Sequence, residues 1–130
     1  GFKRKVLIVE DNEINREIAQ SLLEMWGFQV DAVADGLQAV EQFQKNPENY
    51  YDVVFMDVRM PFMDGLTAAR RIRSCGRRDS RQIPILAMTA NAFEEDMRKS
   101  LEAGMNEHLT KPIEPDAVYR ALRKYLKAKS

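Results

Sequence analysis

The stretch Val53-Val-Phe-Met-Asp57 joins a continuous apolar run of strand length to an acidic residue at its end. A strand without polar alternation is typical of a parallel sheet that is covered on both faces. Similar stretches occur before and after it along the chain. Together they predict five strands, at residues 5–9, 28–33, 53–56, 83–88 and 107–110.

Between the predicted strands, apolar residues recur at steps of four, which is the spacing of one helical face. Three helices are predicted from such faces, which we expect to be buried, and two shorter helices are predicted at residues 37–43 and 66–72. Pro115 lies near the start of the last helix, a position that proline favours. The three faces are Ile14, Ile18 and Leu22, then Phe93, Met97 and Leu101, and then Val118, Leu122 and Leu126.

Five alternating strand–helix units predict a single α/β domain over residues 1–130, with a flavodoxin-like (βα)5 fold. Right-handed crossovers put helices on both faces of the parallel sheet. With the strand order 2-1-3-4-5, the first and third strands are neighbours. Ligands of such sheets bind beyond the carboxyl ends of the strands, so we expect the functional site at that edge.

The overall charge excludes several classes of partner. Twenty basic and twenty acidic side chains cancel, so we expect no binding to nucleic acid and no direct contact with a membrane surface. The apolar runs are too short to span a bilayer, and the chain does not open with a secretory signal pattern. A single cysteine, Cys75, cannot form an internal disulfide, which fits a reducing compartment. These features favour a cytoplasmic domain.

Polar residues crowd the carboxyl ends of the predicted strands. Any one of them could serve only to cap the following helix. Capping does not explain two adjacent acids after one strand, a third acid after another and a lysine before a proline after the last. The five residues are Glu10, Asp11, Asp57, Thr89 and Lys111.

The chemistry of these groups indicates phosphoryl transfer to a carboxylate. Neighbouring strands lie about 4.8 Å apart, so the acids Glu10, Asp11 and Asp57 should meet and repel one another unless a cation compensates. Mg²⁺ suits carboxylate ligands and phosphate oxygens. Lys111 and Thr89 can each contact a phosphoryl oxygen. We therefore expect Asp57 to be the nucleophile, with Glu10 and Asp11 as metal ligands.

Four segments make the sequence resemble the receiver domains of two-component response regulators: Val6-Leu-Ile-Val-Glu-Asp-Asn12, Met56-Asp-Val-Arg-Met-Pro-Phe-Met-Asp-Gly65, Ala87-Met-Thr-Ala90 and Leu109-Thr-Lys-Pro112. The resemblance implies that Asp57 is phosphorylated from a histidine donor. It also implies that Glu10, Asp11 and Asp57 hold Mg²⁺ through their side chains and Arg59 through its backbone carbonyl. Thr89 and Lys111 then contact the phosphoryl group.

Within that family the chain is most similar to the receivers of hybrid sensor histidine kinases. This similarity implies a histidine-containing phosphotransfer protein or a histidine kinase domain as partner, and a monomer is favoured. The parent chain could be a membrane-anchored sensor kinase of which this domain is a cytoplasmic part. We expect the donor to dock beside the first helix, near Asn12, Ile14 and Asn15. Phosphorylation should then change the surface formed by the fourth helix, the last strand and the last helix.

Two features depart from the family pattern or leave the behaviour of the site open. His108, the single histidine, stands where receivers usually carry Tyr or Phe, and it is a candidate switch residue. Arg59 and Asn91 lie two residues beyond Asp57 and Thr89, where receivers adjust the access of water to the acyl phosphate. The sequence does not predict whether this pair lengthens or shortens the phosphorylated state.

Three alternatives remain at this stage. A flavin-binding module would use the same sheet edge, but the residues after Val9 are acidic and form no glycine-rich phosphate loop. An aspartyl-phosphate hydrolase commonly has a second acid two residues after the nucleophile, where this chain has Arg59. A degenerate receiver would only bind partners, and the presence of Asp57, Thr89 and Lys111 argues against it.

Overall fold

A computed structural model describes residues 4–60, 62–90 and 94–126, with the side chains of residues 94–96 excepted. Strands and helices alternate along the chain, as the sequence predicts. The strands are β1 (Lys5–Val9), β2 (Gln29–Val33), β3 (Val53–Asp57), β4 (Ile85–Thr89) and β5 (Glu107–Thr110). The helices are α1 (Glu13–Met25), α2 (Gly36–Lys45), α3 (Gly65–Arg73), α4 (Glu94–Glu102) and α5 (Pro115–Leu126), with a single 3-10 turn at Asp79–Arg81.

The five strands form one parallel sheet in the order β2-β1-β3-β4-β5, which confirms the flavodoxin-like prediction. β4 begins later than expected because Pro84 has no N–H to donate and the N–H of Ile83 bonds to Asp79 instead. Because all five strands are parallel, their carboxyl ends lie at one edge of the sheet.

Alternate strand residues point to opposite faces and build two cores. On one face Val54 and Met56 pack with residues of α2 and α3, such as Phe43 and Ile72. On the other face Phe55 packs with residues of α1 and α5. Both layers are required to bury a sheet that is apolar on its two sides.

The predicted buried faces are right for α5 and largely wrong for α1 and α4. Val118, Leu122 and Leu126 are buried, but Ile14, Ile18, Met97 and Leu101 are exposed. Leu22 is partly buried against the core, and Phe93 lies outside the described residues. The same spacing gives a buried stripe in α5 and a largely exposed one in α1 and α4, so spacing alone does not decide which apolar residues meet the sheet. In α1 the buried contacts come instead from Ala19 and Leu23, and in α4 Ser100 is buried. Two exposed apolar faces result.

Within the described residues, no helix is both long enough and apolar enough to cross a membrane.

Candidate functional site

Three acidic side chains meet where β1 and β3 end. The register pairs Val9 with Met56, so the acids that follow these two residues are neighbours. One carboxylate oxygen from each of Glu10, Asp11 and Asp57 lies within 4.8 Å of the others. Glu10 is 2% and Asp57 3% exposed, whereas Asp11 is exposed. The acids that the sequence predicts as metal ligands are thus brought together.

Lys111 joins this cluster from the end of β5. Its Nζ lies 2.8 Å from Oδ2 of Asp57 and 2.8 Å from Oε1 of Glu10. The backbone N–H of Lys111 donates to the carbonyl of Thr89 at 2.8 Å, and the Lys111–Pro112 peptide bond is cis. The ammonium therefore bridges two buried carboxylates across β3 and β1, as its predicted reach allows.

The charges of the cluster are unbalanced, since three carboxylates face one ammonium. Burial raises the pKa of Asp57 to about 7, with Lys111 opposing the shift and Glu10 adding to it. Burial disfavours the charged form of Lys111, but Asp57 and Glu10 outweigh it, so the pKa of Lys111 is raised. A further cation at the carboxylates would stabilise their ionised form.

The donor set fits a hard divalent cation. All the converging atoms are carboxylate oxygens, which Mg²⁺ prefers, and the partial exposure of the cluster through Asp11 leaves room for the waters that Mg²⁺ retains. The N–H of Arg59 donates to Oδ1 of Asp57 at 3.2 Å, so the backbone of Arg59 is adjacent to the same carboxylate.

Thr89 completes the site from β4. The threonine is buried at the strand end, and Met88, the preceding residue, pairs with Asp57 in the sheet. A cleft of about 270 Å³ opens above these groups. Its lining comprises Glu10, Asp11, Asn12, Asn15, Asp57, Arg59, Thr89, Ala90 and Lys111.

Glu10 is held in place by contacts that the sequence analysis missed. The guanidinium of Arg16 donates to the Glu10 carbonyl at 2.8 Å, and the N–H of Asn12 donates to Oε2 of Glu10 at 3.1 Å. Asn12 also caps α1 by accepting from the N–H of Asn15. A signal was present in the sequence, because arginine in a first helical turn opposes the helix dipole and so suggests another partner.

His108 lies beside a second cavity, of about 210 Å³, on the other side of Thr89. The Nε2 atom of His108 is buried without a hydrogen-bond partner among the described residues, and burial lowers the pKa of the imidazole. Asn91, the other predicted tuning residue, lies outside the described residues. The cavity lining comprises Val58, Arg59, Asp64, Leu66, Thr89, Lys99, Ser100 and His108.

Comparison with known proteins gives one consistent family. Residues 6–123 match the family model described as the response regulator receiver domain. Hybrid signal transduction histidine kinase L of Dictyostelium discoideum is 38% identical over 122 residues, which are 93% of this chain and 7% of that kinase. The chain spans 5–16% of the length of several histidine kinases that it matches.

Solved structures agree with this result. The receiver domain of the sensor histidine kinase PA1611 from Pseudomonas aeruginosa, with magnesium coordinated in its active-site cleft, is 37% identical with a TM-score of 0.86; the match covers 97% of this chain and 99% of that one. The receiver domain of Ssk1, crystallised with the Saccharomyces cerevisiae histidine phosphotransfer protein Ypd1, is 31% identical with a TM-score of 0.85. That match covers 97% and 92% of the two chains.

Proposed function

The chain belongs to the response regulator receiver domain family of two-component phosphorelay systems, and on that premise we propose that Asp57 is its phosphoacceptor. The observation that carries the proposal is the position of this carboxylate. Asp57 is buried, clusters with Glu10 and Asp11, pairs with the Lys111 ammonium and lines the same cleft as Thr89. That arrangement supplies the positioning and charge neutralisation on which phosphoryl transfer depends.

We further propose that Glu10, Asp11 and Asp57 bind Mg²⁺ through their side chains, with the backbone carbonyl of Arg59 as a further ligand. When bound, the ion would neutralise the excess negative charge and hold a phosphoryl oxygen. The support is the convergence of the three carboxylates and the magnesium in the related PA1611 receiver. Arg16, through the Glu10 carbonyl, and Asn12, through Oε2, would hold Glu10 in position for this role.

In the reaction, one carboxylate oxygen of Asp57 attacks phosphorus in line with the phosphorus–nitrogen bond of a phosphohistidine. That bond breaks, its electron pair stays on the imidazole nitrogen, and an aspartyl phosphate forms. The ammonium of Lys111, which pairs with Asp57 at rest, stays as the counter-charge for a phosphoryl oxygen. The Thr89 hydroxyl donates to another phosphoryl oxygen.

The donor in this proposal is a histidine-containing phosphotransfer protein or a histidine kinase domain. Support comes from the histidine kinases among the relatives and from the Ssk1 receiver, which is bound to such a protein. Exposed Ile14, next to Asn12 and Asn15 at the cleft, fits the expected docking beside α1. Residues 1–130 would act as one receiver unit in the cytoplasm, where phosphohistidine is made from ATP.

Phosphorylation is proposed to be read out through Thr89 and His108. Movement of Thr89 toward the phosphoryl group would enlarge the cavity that His108 borders, because both residues line it. Among the described residues, no hydrogen bond to Nε2 holds the imidazole in place. A shift of His108 on β5 would alter the surface shared by α4, β5 and α5.

The test is phosphorylation with acetyl phosphate and Mg²⁺, followed by intact mass. We expect a single phosphoryl adduct on the wild type and on Asp116→Asn, a matched change at an exposed acid of α5, and none on Asp57→Asn. Chelation of the metal should abolish the adduct. Equal labelling of wild type and Asp57→Asn would show that another residue is the acceptor. Absence of label from all three would favour a degenerate receiver.

A further inference from the structure

Phe62 is an exposed aromatic residue that has no role in the proposed phosphoryl transfer. Its side chain is 90% exposed, more than any other large apolar side chain of the described residues. Its φ is +66°, a left-handed conformation that a bulky residue rarely adopts. The fold thus maintains an unfavourable backbone conformation at a residue that contributes no buried surface. Strain of this kind concentrates at binding and catalytic sites.

The loop that carries Phe62 is anchored on both sides of the ring. The N–H of Gly65 donates to the Val58 carbonyl at 2.9 Å, and the N–H of Gly36 donates to the Met63 carbonyl at 3.1 Å. Met60 and Met63 pack against the core between the sheet and α3. Met63, which follows Phe62, is thus held by the core and by Gly36, and the Phe62 side chain next to it is exposed to solvent. A pre-positioned aromatic ring loses little conformational freedom when a partner binds it.

Phe62 lies close enough to the cleft to fall within the area that a protein donor to Asp57 would cover. It is three residues beyond Arg59, which lines the cleft, so their Cα atoms are at most about 11 Å apart. Because Asp57 is only 3% exposed, a protein donor must sit directly on the rim of the cleft. A standard interface covers about 800 Å² of each partner, which is a disc of roughly 16 Å radius.

We propose that Phe62 is an apolar anchor for the protein that donates the phosphoryl group, a histidine phosphotransfer protein of the Ypd1 type. The inference rests on the proposed function of Asp57. Ile14, which is 68% exposed, belongs to the α1 side of the sheet, and Phe62 precedes α3 on the other side. A donor seated over the cleft contacts both, so the docking surface extends across the sheet edge. Exposed aromatic residues are frequent binding hot spots.

The experiment compares a protein donor with a small one. Phe62→Asn removes the ring and keeps a residue that tolerates positive φ, while Met25→Asn changes another highly exposed apolar residue, at the far end of α1. We expect Phe62→Asn to slow transfer from phosphorylated Ypd1 by about tenfold at limiting donor. The rate at saturating donor and the labelling by acetyl phosphate should not change. Met25→Asn should match the wild type in both reactions.

Each result has a defined consequence. Wild-type rates of Ypd1 transfer in Phe62→Asn would overturn the inference, as would a wild type that accepts phosphate from acetyl phosphate but none from Ypd1. If the wild type dimerises and Phe62→Asn is monomeric, the occupant of this surface is a second copy, and the inference is also wrong. Failure of the proposed function looks different, because then Asp57 is labelled by neither donor.

Discussion

In the metal-free protein, the buried position of Asp57 conflicts with the ionised state that a nucleophile needs. The nucleophile has to be ionised, yet burial and Glu10 raise its pKa to about 7. Lys111 offsets this only in part, because its one charge is shared between Asp57 and Glu10. A cation bound at these carboxylates would recover the free energy that the folded protein loses by holding Asp57 ionised.

Replacement of Asp57 by Asn should therefore stabilise the metal-free domain. A carboxyl group titrates near pH 4 in the unfolded chain and near 7 when folded. Between these values the folded state retains a proton that the unfolded state has released, so stability falls as pH rises through this window. Asp57→Asn removes this loss, and we expect it to unfold with about 1–3 kcal/mol more free energy than the wild type near pH 8.

Urea denaturation in the presence of a chelator measures this effect. The advantage of Asp57→Asn should shrink toward about pH 4.5, where Asp57 is protonated in the folded protein. Asp116→Asn, at an exposed position, should show no such trend. An advantage that is the same at both pH values would contradict the assigned cause, since packing differences do not titrate.

At the scale of the element, the site depends on how closely α3 approaches β3. A Cβ at Gly65 would lie 2.1 Å from the carbonyl oxygen of Asp57 and 3.0 Å from the Cα of Val58. Both are backbone atoms, so no side chain can rotate to make room. Glycine at the first position of α3 thus allows α3 to lie this close to the strand end that carries Asp57, the proposed phosphoacceptor.

Gly65→Ala should displace the end of β3 or the start of α3. We expect a loss of about 1–3 kcal/mol in unfolding free energy, although alanine is the better helix former. Labelling of Asp57 by acetyl phosphate should slow as well, because the carboxylate is moved relative to Lys111. Arg70→Ala, at an exposed position of the same helix, controls for helix propensity. If Gly65→Ala unfolds like the wild type and labels at the same rate, the close approach has no consequence for the site.

The elements show which features of this fold can be read from the sequence. Short strand-like runs, mostly without polar alternation, predicted the five strands. The polar residues just beyond them, Glu10, Asp11, Asp57, Thr89 and Lys111, could be predicted to meet because parallel strands end at one edge. The exposed faces of α1 and α4 could not be predicted, since spacing alone does not say which apolar residues meet the sheet. The support of Glu10 by Arg16 is a contact of side chain to backbone and leaves little trace in a hydrophobic pattern.

At the scale of the whole molecule, the two cores fix the sheet edge at which the carboxylates of Glu10, Asp11 and Asp57 repel one another. β1 and β3 are buried on both sides, so the acids at their ends cannot separate without disturbing both cores. Each core includes residues of both strands, which links the geometry of the cleft to global stability. Binding of a cation at the edge should consequently be visible in the unfolding of the entire domain.

Mg²⁺ should raise the Tm of the wild type, and the increase should be larger near pH 8 than near pH 5.5, because protons on Asp57 compete with the ion. At a concentration one hundred times the Kd, the stabilisation is about 2.7 kcal/mol. Calorimetry at matched ionic strength with NaCl separates binding from general screening. Asp11→Asn, which removes the exposed carboxylate of the cluster, should lose most of the increase, whereas Asp116→Asn should keep it. An equal rise in NaCl, or an Asp11→Asn variant that responds like the wild type, would show that the three carboxylates do not act together as a metal site.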